Sequence, residues 1–306
     1  MKRQYYAISA QNNDLGQYSS MIAKYRFADV NVLIKTDFEF ELINKFDEFR
    51  YEFGKPDLTY EYYMQNGFET PDYPPIYTDS FCRVYRKDGI TYRYFTAMPD
   101  NQYNALITDE AASDGVFKVY LQGLQEPVYF TELRLFNYFA VEHAMALFGG
   151  VLLHSSYIIH NGEAILFSAP SGTGKSTQAD LWHKHMGSLI VNGDRSLLKI
   201  ENGAIKVHCL PYCGSSNISN NITAPLKTIV ILRQAPYNKI TRLRPAEAFK
   251  HIYSECSADI WYENDVRVIG DIIETAINTV PVYKLECLPD KDAVHTLAGA
   301  LGIECK

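Results

Sequence analysis

The chain has 306 residues, 47% hydrophobic and 21% charged, which is the composition of a folded globule and excludes a disordered tail. A formal charge of −7 and a pI near 5.6 argue against nucleic acid as a partner, since phosphate backbones are met with a basic excess. Six scattered cysteines without a C-x-x-C pair fit reduced thiols, and the start, Met1-Lys2-Arg3-Gln4 and later Asn12-Asn13-Asp14, lacks the apolar core of a secretory signal, so a cytoplasmic location is expected.

Up to about residue 125, short tyrosine-rich runs predict strands at 29–35, 58–63, 82–86, 90–97 and 116–121. Asp88-Gly89 between two of them is the turn chemistry of a tight hairpin, and Pro71-Asp-Tyr-Pro-Pro75 reads as a loop. The aromatic stripes fit core packing of half-buried strands, with a binding face as the competing reading. Apolar residues at Leu133, Leu135, Phe136, Phe139, Ala140, His143, Ala144 and Leu147 predict one amphipathic helix over 131–148, ended by Gly149-Gly150. The domain boundary is placed just before it, giving a β-rich region 1–128, suited to acceptor recognition, and a second domain 129–306. The most apolar stretch, 136–159, is broken by Glu142, His143, two glycines and His154, so no membrane span is expected.

Residues 151–159 and 163–167 flank His160-Asn161-Gly162 as a hairpin, and its second strand runs into AILFSAPSGTGKST, residues 164–177. This is the order strand, glycine-broken loop, helix that a P-loop requires. Gly172 and Gly174 let successive N–H groups converge on an anion, and the following helix adds its positive end. Ser171, Gly172, Thr173, Gly174, Lys175, Ser176 and Thr177 are the expected phosphate cradle, with Lys175 reaching the outer phosphates and Ser176 holding Mg²⁺. The first glycine slot of the motif is taken by Ala169, which narrows the allowed backbone angles there. A glycine-serine turn that binds nothing is the competing reading.

A P-loop needs a carboxylate to hold its metal, and Asp194 ends the apolar run 188–191 one helix later. The alternative makes it a turn residue after Gly193. His154 lies on the strand before the hairpin and is either a site residue or a hydrogen-bonded core histidine; His143, His183 and His185 fall on helices. Residues 196–200 and 204–208 bracket Glu201-Asn202-Gly203 as another hairpin. Residues 211–224 form a long polar loop, followed by strands at 226–233 and 239–243. A helix opens at Pro245 and runs to 255; helices at 264–279 and 290–301 flank a strand at 281–286. His208-Cys209 and Cys213 are the nearest approach to a zinc set, but no second ligand pair stands at a suitable spacing.

The runs GGVLLHSSYIIHNGEAILFSAPSGTGKSTQADLW, LIVNGDRSLL and NITAPLKTIVILRQAPYNKITRL, between Gly149 and Leu243, resemble the HPr kinase-like family, related to HPr kinase/phosphorylase and more distantly to phosphoenolpyruvate carboxykinase. The resemblance implies an α/β (α+β) fold, a P-loop domain with a mixed sheet behind the β-rich N-terminal region. It also implies ATP-dependent phosphoryl transfer to a hydroxyl, often a serine, with ATP and Mg²⁺ bound. It places His154 near the reacting phosphate and matches Asp194 to the second of two paired aspartates, the first being replaced by Gly193. Catalysis would then rest on Asp194, His154 and Lys175, and metal binding on Ser176 and Asp194. Asp180 or Glu247 could supply the missing acid. Arg195 and Arg233 are weaker candidates for phosphate contacts, each somewhat better read as a surface ion-pair residue, and loop 214–221 is a candidate lining of the acceptor site. The acceptor is a peptide, a protein or a small-molecule hydroxyl; a nucleotide-binding regulator without transfer is the third reading, and a homo-oligomer is compatible with the chain.

Overall fold

The computed structural model describes residues 20–96, 103–110, 115–122 and 130–305. The fold is α+β, with two mixed sheets and few helices. The chain forms two compact units, residues 1–144 and 145–306. The boundary expected at 128/129 lies outside the described residues, as do Met1 to Asp14 and Ala97.

The first unit contains β1 (Met21–Phe27), β2 (Val30–Thr36), β3 (Phe40–Glu41), β4 (Leu58–Gln65), β5 (Tyr77–Thr78), β6 (Cys82–Lys87), β7 (Ile90–Thr96), β8 (Tyr103–Glu110), β9 (Val116–Gln122), β10 (Phe130–Thr131) and α1 (Glu132–Phe136). Eight strands pair in the order β1-β2-β4-β9-β8-β7-β6-β5, with β4 parallel to both neighbours and the other pairs antiparallel. Sequence patterning missed β1 and β8. It also counted Asp29 in a strand, whereas Ala28 and Asp29 take left-handed φ values of 50° and 62° and turn the β1–β2 hairpin. The Asp88-Gly89 turn is as expected, with Lys87 opposite Ile90.

Aromatic packing fills this unit's core. Tyr60 stacks between Phe117 at 4.9 Å and Phe139 at 3.7 Å, and its hydroxyl donates to Phe139 O at 2.7 Å. Glu132 is fully buried and accepts from Tyr25 Oη, from the Ile43 backbone N–H and from Arg50 Nη2, so its charge is matched by three donors. Burial and the Glu132 charge push the Tyr25 phenol far above its usual value.

The single helix expected over 131–148 is two: α1 and α2 (Val141–Ala146), separated at Ala140, whose φ is 43°. Helical periodicity held on both sides of the break because Leu135, Phe136, Phe139 and Ala144 are all buried, and burial alone does not require continuous turns. The apolar stretch 136–159 is thus short helix and strand. Among the described residues no helix is long and apolar enough to cross a membrane, which says nothing of strands.

The second unit carries β11 (Gly150–His160), β12 (Glu163–Ser168), α3 (Lys175–Met186), β13 (Leu189–Asn192), β14 (Arg195–Glu201), β15 (Ala204–His208), β16 (Ala224–Gln234), β17 (Lys239–Arg242), α4 (Pro245–Glu255), β18 (Cys256–Ser257), α5 (Glu263–Thr279), β19 (Val282–Cys287) and α6 (Lys291–Ala300). Pairing runs β12-β11-β14-β15-β16-β19-β17, and β12 also pairs with β16, so five strands close into a ring. β12–β16 and β16–β19 are parallel and the remaining pairs antiparallel. The long β11 is shared: its first half pairs with β14 and its second half with β12 and β13. Asn161-Gly162 and Asn202-Gly203 turn their hairpins with left-handed φ, as their sequences require. Trp182 and Ala179 of α3 pack with Phe167, Val230, Leu285 and Leu297, clamping the helix on the sheet next to the end of β12.

Candidate functional site

Strand β12 ends at Ser168, and the chain turns through residues 169–174 into α3. Gly172 and Gly174 have φ of 77° and 113°, regions closed to most side chains, and a Cβ at either would meet nothing within 4 Å, so glycine is required there by backbone angle and not by crowding. Ala169 is absent from the left-handed residues and is buried in the core, so alanine in that slot carries no strain. Thr173 N–H donates to Pro170 O at 3.3 Å, and the Gln234 amide, at the end of β16, donates to Gly172 O and Thr173 O at 3.3 and 3.4 Å, tying the loop to the neighbouring strand.

Lys175, the first residue of α3, is buried, and its Nζ donates to Ala169 O at 2.8 Å and Pro170 O at 3.4 Å. Burial pushes its ammonium below the usual lysine value, against the pull of Asp194 and Glu255, which both lie within electrostatic reach. Ser171, Ser176 and Thr177 are exposed, with Thr173 half-buried. A cleft of about 600 Å³ opens beside the loop, lined by Gly172 to Gly174, Thr177 and Gln178 on one side and by Leu232, Gln234, Cys287 and Leu288 on the other.

The structure brings His154 and Asp194 together: His154 Nε2 lies 3.5 Å from Asp194 Oδ1. The pairing of β11 with β14 sets this up, because His154 stands opposite Arg195 and Ser155 N–H donates to Asp194 O at 3.0 Å. The Asn192 amide oxygen accepts from the N–H groups of Asp194 and Arg195 at 2.9 and 3.0 Å and shapes the turn that presents the acid. Contact with His154 holds the Asp194 carboxyl below the usual carboxylate range, with Arg195 and Lys175 adding to the effect and burial opposing it. Arg195 Nε is 3.7 Å from Asp194 Oδ2, whereas Arg233 is an exposed residue 3.7 Å from Glu286.

Neither acid suggested for the empty slot joins this cluster. Asp180 is exposed on α3, and Glu247 is bound to Arg244 at the N-terminal end of α4. The second acid present is Glu255, at the other end of α4, whose Oε2 lies 3.3 Å from His154 Nδ1. It was missed because its proximity comes from a two-residue strand: Cys256 pairs with Leu153 and Ser257 with Leu152, which puts Glu255 alongside His154, 101 residues away. No local pattern announces so short a pairing.

The slot at Gly193 is filled from the polar loop. A Cβ at 193 would overlap Ser216 Cβ and Oγ, and one at Gly214 would lie 2.9 Å from Asp194 Cγ. The loop is held along β13 by Asn220, which donates from its backbone to Val191 O and from its side chain to Ile190 O, each at 2.9 Å. Residues 213–217 therefore form one wall beside Asp194. Of the other histidines, His208 is bonded to Glu201 and Thr223, His183 to Ser188 O, and His143 lies 3.7 Å from Asp109.

A family model described as SynChlorMet cassette protein ScmC matches residues 133–288. Among solved structures, the Hpr(Ser) kinase/phosphatase from Coxiella burnetii is similar at 12% identity over 49% of this chain and 94% of that chain, with a TM-score of 0.29, below the level at which a shared fold is read. No curated protein matches.

Proposed function

The chain belongs to the SynChlorMet cassette protein ScmC family, and we propose that its second unit is an ATP-dependent kinase acting on a hydroxyl, most simply a serine of a peptide or protein. The observation that carries this reading is the placement of Lys175: at the end of a glycine loop, within electrostatic reach of the acid that meets His154. A cradle of backbone N–H groups, a lysine and a helix N-terminus suit a polyphosphate. The cleft beside Gly172 to Gly174 would take the nucleoside end of the donor.

The donor set also fits Mg²⁺, which keeps most of its waters and takes one or two carboxylates with phosphate oxygens. Ser176 and Asp194 would hold it, and it would supply charge neutralisation on the phosphates. The remaining work falls to the chain. Lys175 neutralises charge on the transferring group. Asp194, held ionised by its contact with His154, takes the proton of the acceptor hydroxyl as that oxygen bonds to the γ-phosphorus and ADP leaves.

A regulator that binds nucleotide without transfer is favoured by one observation, the filling of the first-acid slot by Ser216. Incubation with ATP and Mg²⁺ beside serine peptides and hydroxylated metabolites, read by mass spectrometry, separates these readings. The kinase reading expects one acceptor to gain the mass of a phosphoryl group and Lys175→Ala to abolish the gain. Full activity in Lys175→Ala would sink the site. Tight nucleotide binding with no acceptor ever gaining mass supports the regulator, and a metabolite gaining mass in place of any peptide moves the acceptor to the small-molecule class.

A further inference from the structure

His154 carries a carboxylate at each ring nitrogen: Asp194 Oδ1 at 3.5 Å from Nε2 and Glu255 Oε2 at 3.3 Å from Nδ1. An ionised carboxylate only accepts, so the contact with Glu255 is met when Nδ1 carries the hydrogen. The two acids reach the ring from opposite flanks of β11. Asp194 precedes β14, whereas Glu255 ends α4 directly before β18.

The position of Glu255 is locally unfavourable. It sits at the negative end of the α4 dipole, and no basic residue stands in the helix's last turn. Its side chain is 13% exposed, against 33% for Asp194, so water relieves its charge less. The neighbouring Cys256 thiol is pushed up to about 12 by burial, with the Glu255 charge adding to the effect. What offsets this placement is the His154 ring together with the nearby Lys175 ammonium. The carboxylate is also set by rigid backbone, because Cys256 N–H closes the helix on Ile252 O and Tyr253 O while Cys256 pairs with Leu153.

We propose that Glu255 is the second acid of this centre, a positioning residue that holds the His154 ring through Nδ1–H and so aims Nε2 at Asp194. The acid comes from α4 and not from the residue before Asp194, because Ser216 leaves no room for a side chain at Gly193. The service of Nε2 to a reacting phosphate rests on the kinase reading above; the anchoring of the ring does not.

The test is nitrogen-15 NMR of the intact chain labelled at histidine, with His154→Asn used to assign the ring signals, comparing wild type with Glu255→Gln, Glu255→Asp and Glu255→Ala. A hydrogen-bonded Nδ1–H signal of His154 is expected in wild type, lost in Glu255→Ala, displaced in Glu255→Gln and partly restored in Glu255→Asp. Melting temperature and Mg-ADP affinity should stay close to wild type in Glu255→Gln, while kcat for ATP consumption falls by roughly 10- to 100-fold with KM for ATP little changed, as for lost orientation of a functional group. His154 ring signals that are the same in Glu255→Ala as in wild type would overturn the proposal, as would undiminished kcat in that variant. Failure of wild type to bind Mg-ADP would instead remove the kinase reading, and the ring signals would still decide the anchor.

Discussion

Ser216 occupies the volume that a side chain at position 193 would need, and it is itself fixed, its Oγ donating to Cys213 O at 2.6 Å and accepting from the Ile218 N–H at 3.3 Å. The Gly193 carbonyl in turn accepts from Ser156 Oγ at 3.0 Å, inside the sheet. The strand end and the polar loop are thus fitted to each other without a side chain between them.

Placing an acid at this position should therefore damage the fold. Gly193→Asp is expected to lower stability by about 1–3 kcal/mol, the range for forcing extra atoms into a packed site. Adding Ser216→Gly should recover a large part of that loss. Denaturant unfolding of the single and double variants checks it, and additive losses would show that the two positions do not compete for space.

Asp194 couples the site to pH. Its carboxyl is held below the usual range by its contact with His154, then by Arg195 and Lys175, so it binds protons more weakly folded than unfolded. The stability it contributes is present above the unfolded value, near 4, and is lost as pH falls through the lower folded value. Wild type should melt above Asp194→Asn at neutral pH, and the gap should close on acidification below about pH 4. A gap that widens toward acid pH would contradict the arrangement.

In the first unit, Glu132 is the buried acceptor for Tyr25, Ile43 and Arg50. Glu132→Ala is expected to destabilise by about 3–5 kcal/mol, because it removes the one carboxylate shared by the buried Tyr25 phenol, the Ile43 N–H and Arg50, which keeps Ile43 O and Asp47 as partners. Chemical denaturation followed by tyrosine fluorescence measures this. Glu132→Gln, which keeps the shape and one acceptor, should lose less.

Much of the candidate site is legible along the chain because it is written in local backbone chemistry. Gly172 and Gly174 must be glycine for their left-handed angles, Asn161-Gly162 and Asn202-Gly203 specify their turns, and Pro245 opens α4 where expected. Of the strands missed, β8 buries Ala105, Leu106 and Ile107 in succession, so period-2 patterning is weak there, whereas β1 does alternate, with Ala23, Tyr25 and Phe27 buried between half-buried Lys24 and Arg26. The helix over 131–148 failed for the opposite reason: burial kept the apolar spacing while Ala140 broke the hydrogen-bonded turns.

The sequence by itself determined that a glycine-broken loop stands between a buried strand and a helix, with Lys175 at its end and Asp194 one helix downstream. Each of those statements needs only neighbouring residues and their allowed backbone angles. Only the tertiary structure decided which acids share His154, that Ser216 fills the place beside Gly193, and that β12 closes the ring onto β16. These depend on strand pairings between segments tens of residues apart, whose register is set by the burial of whole faces, and no short window of sequence carries that information.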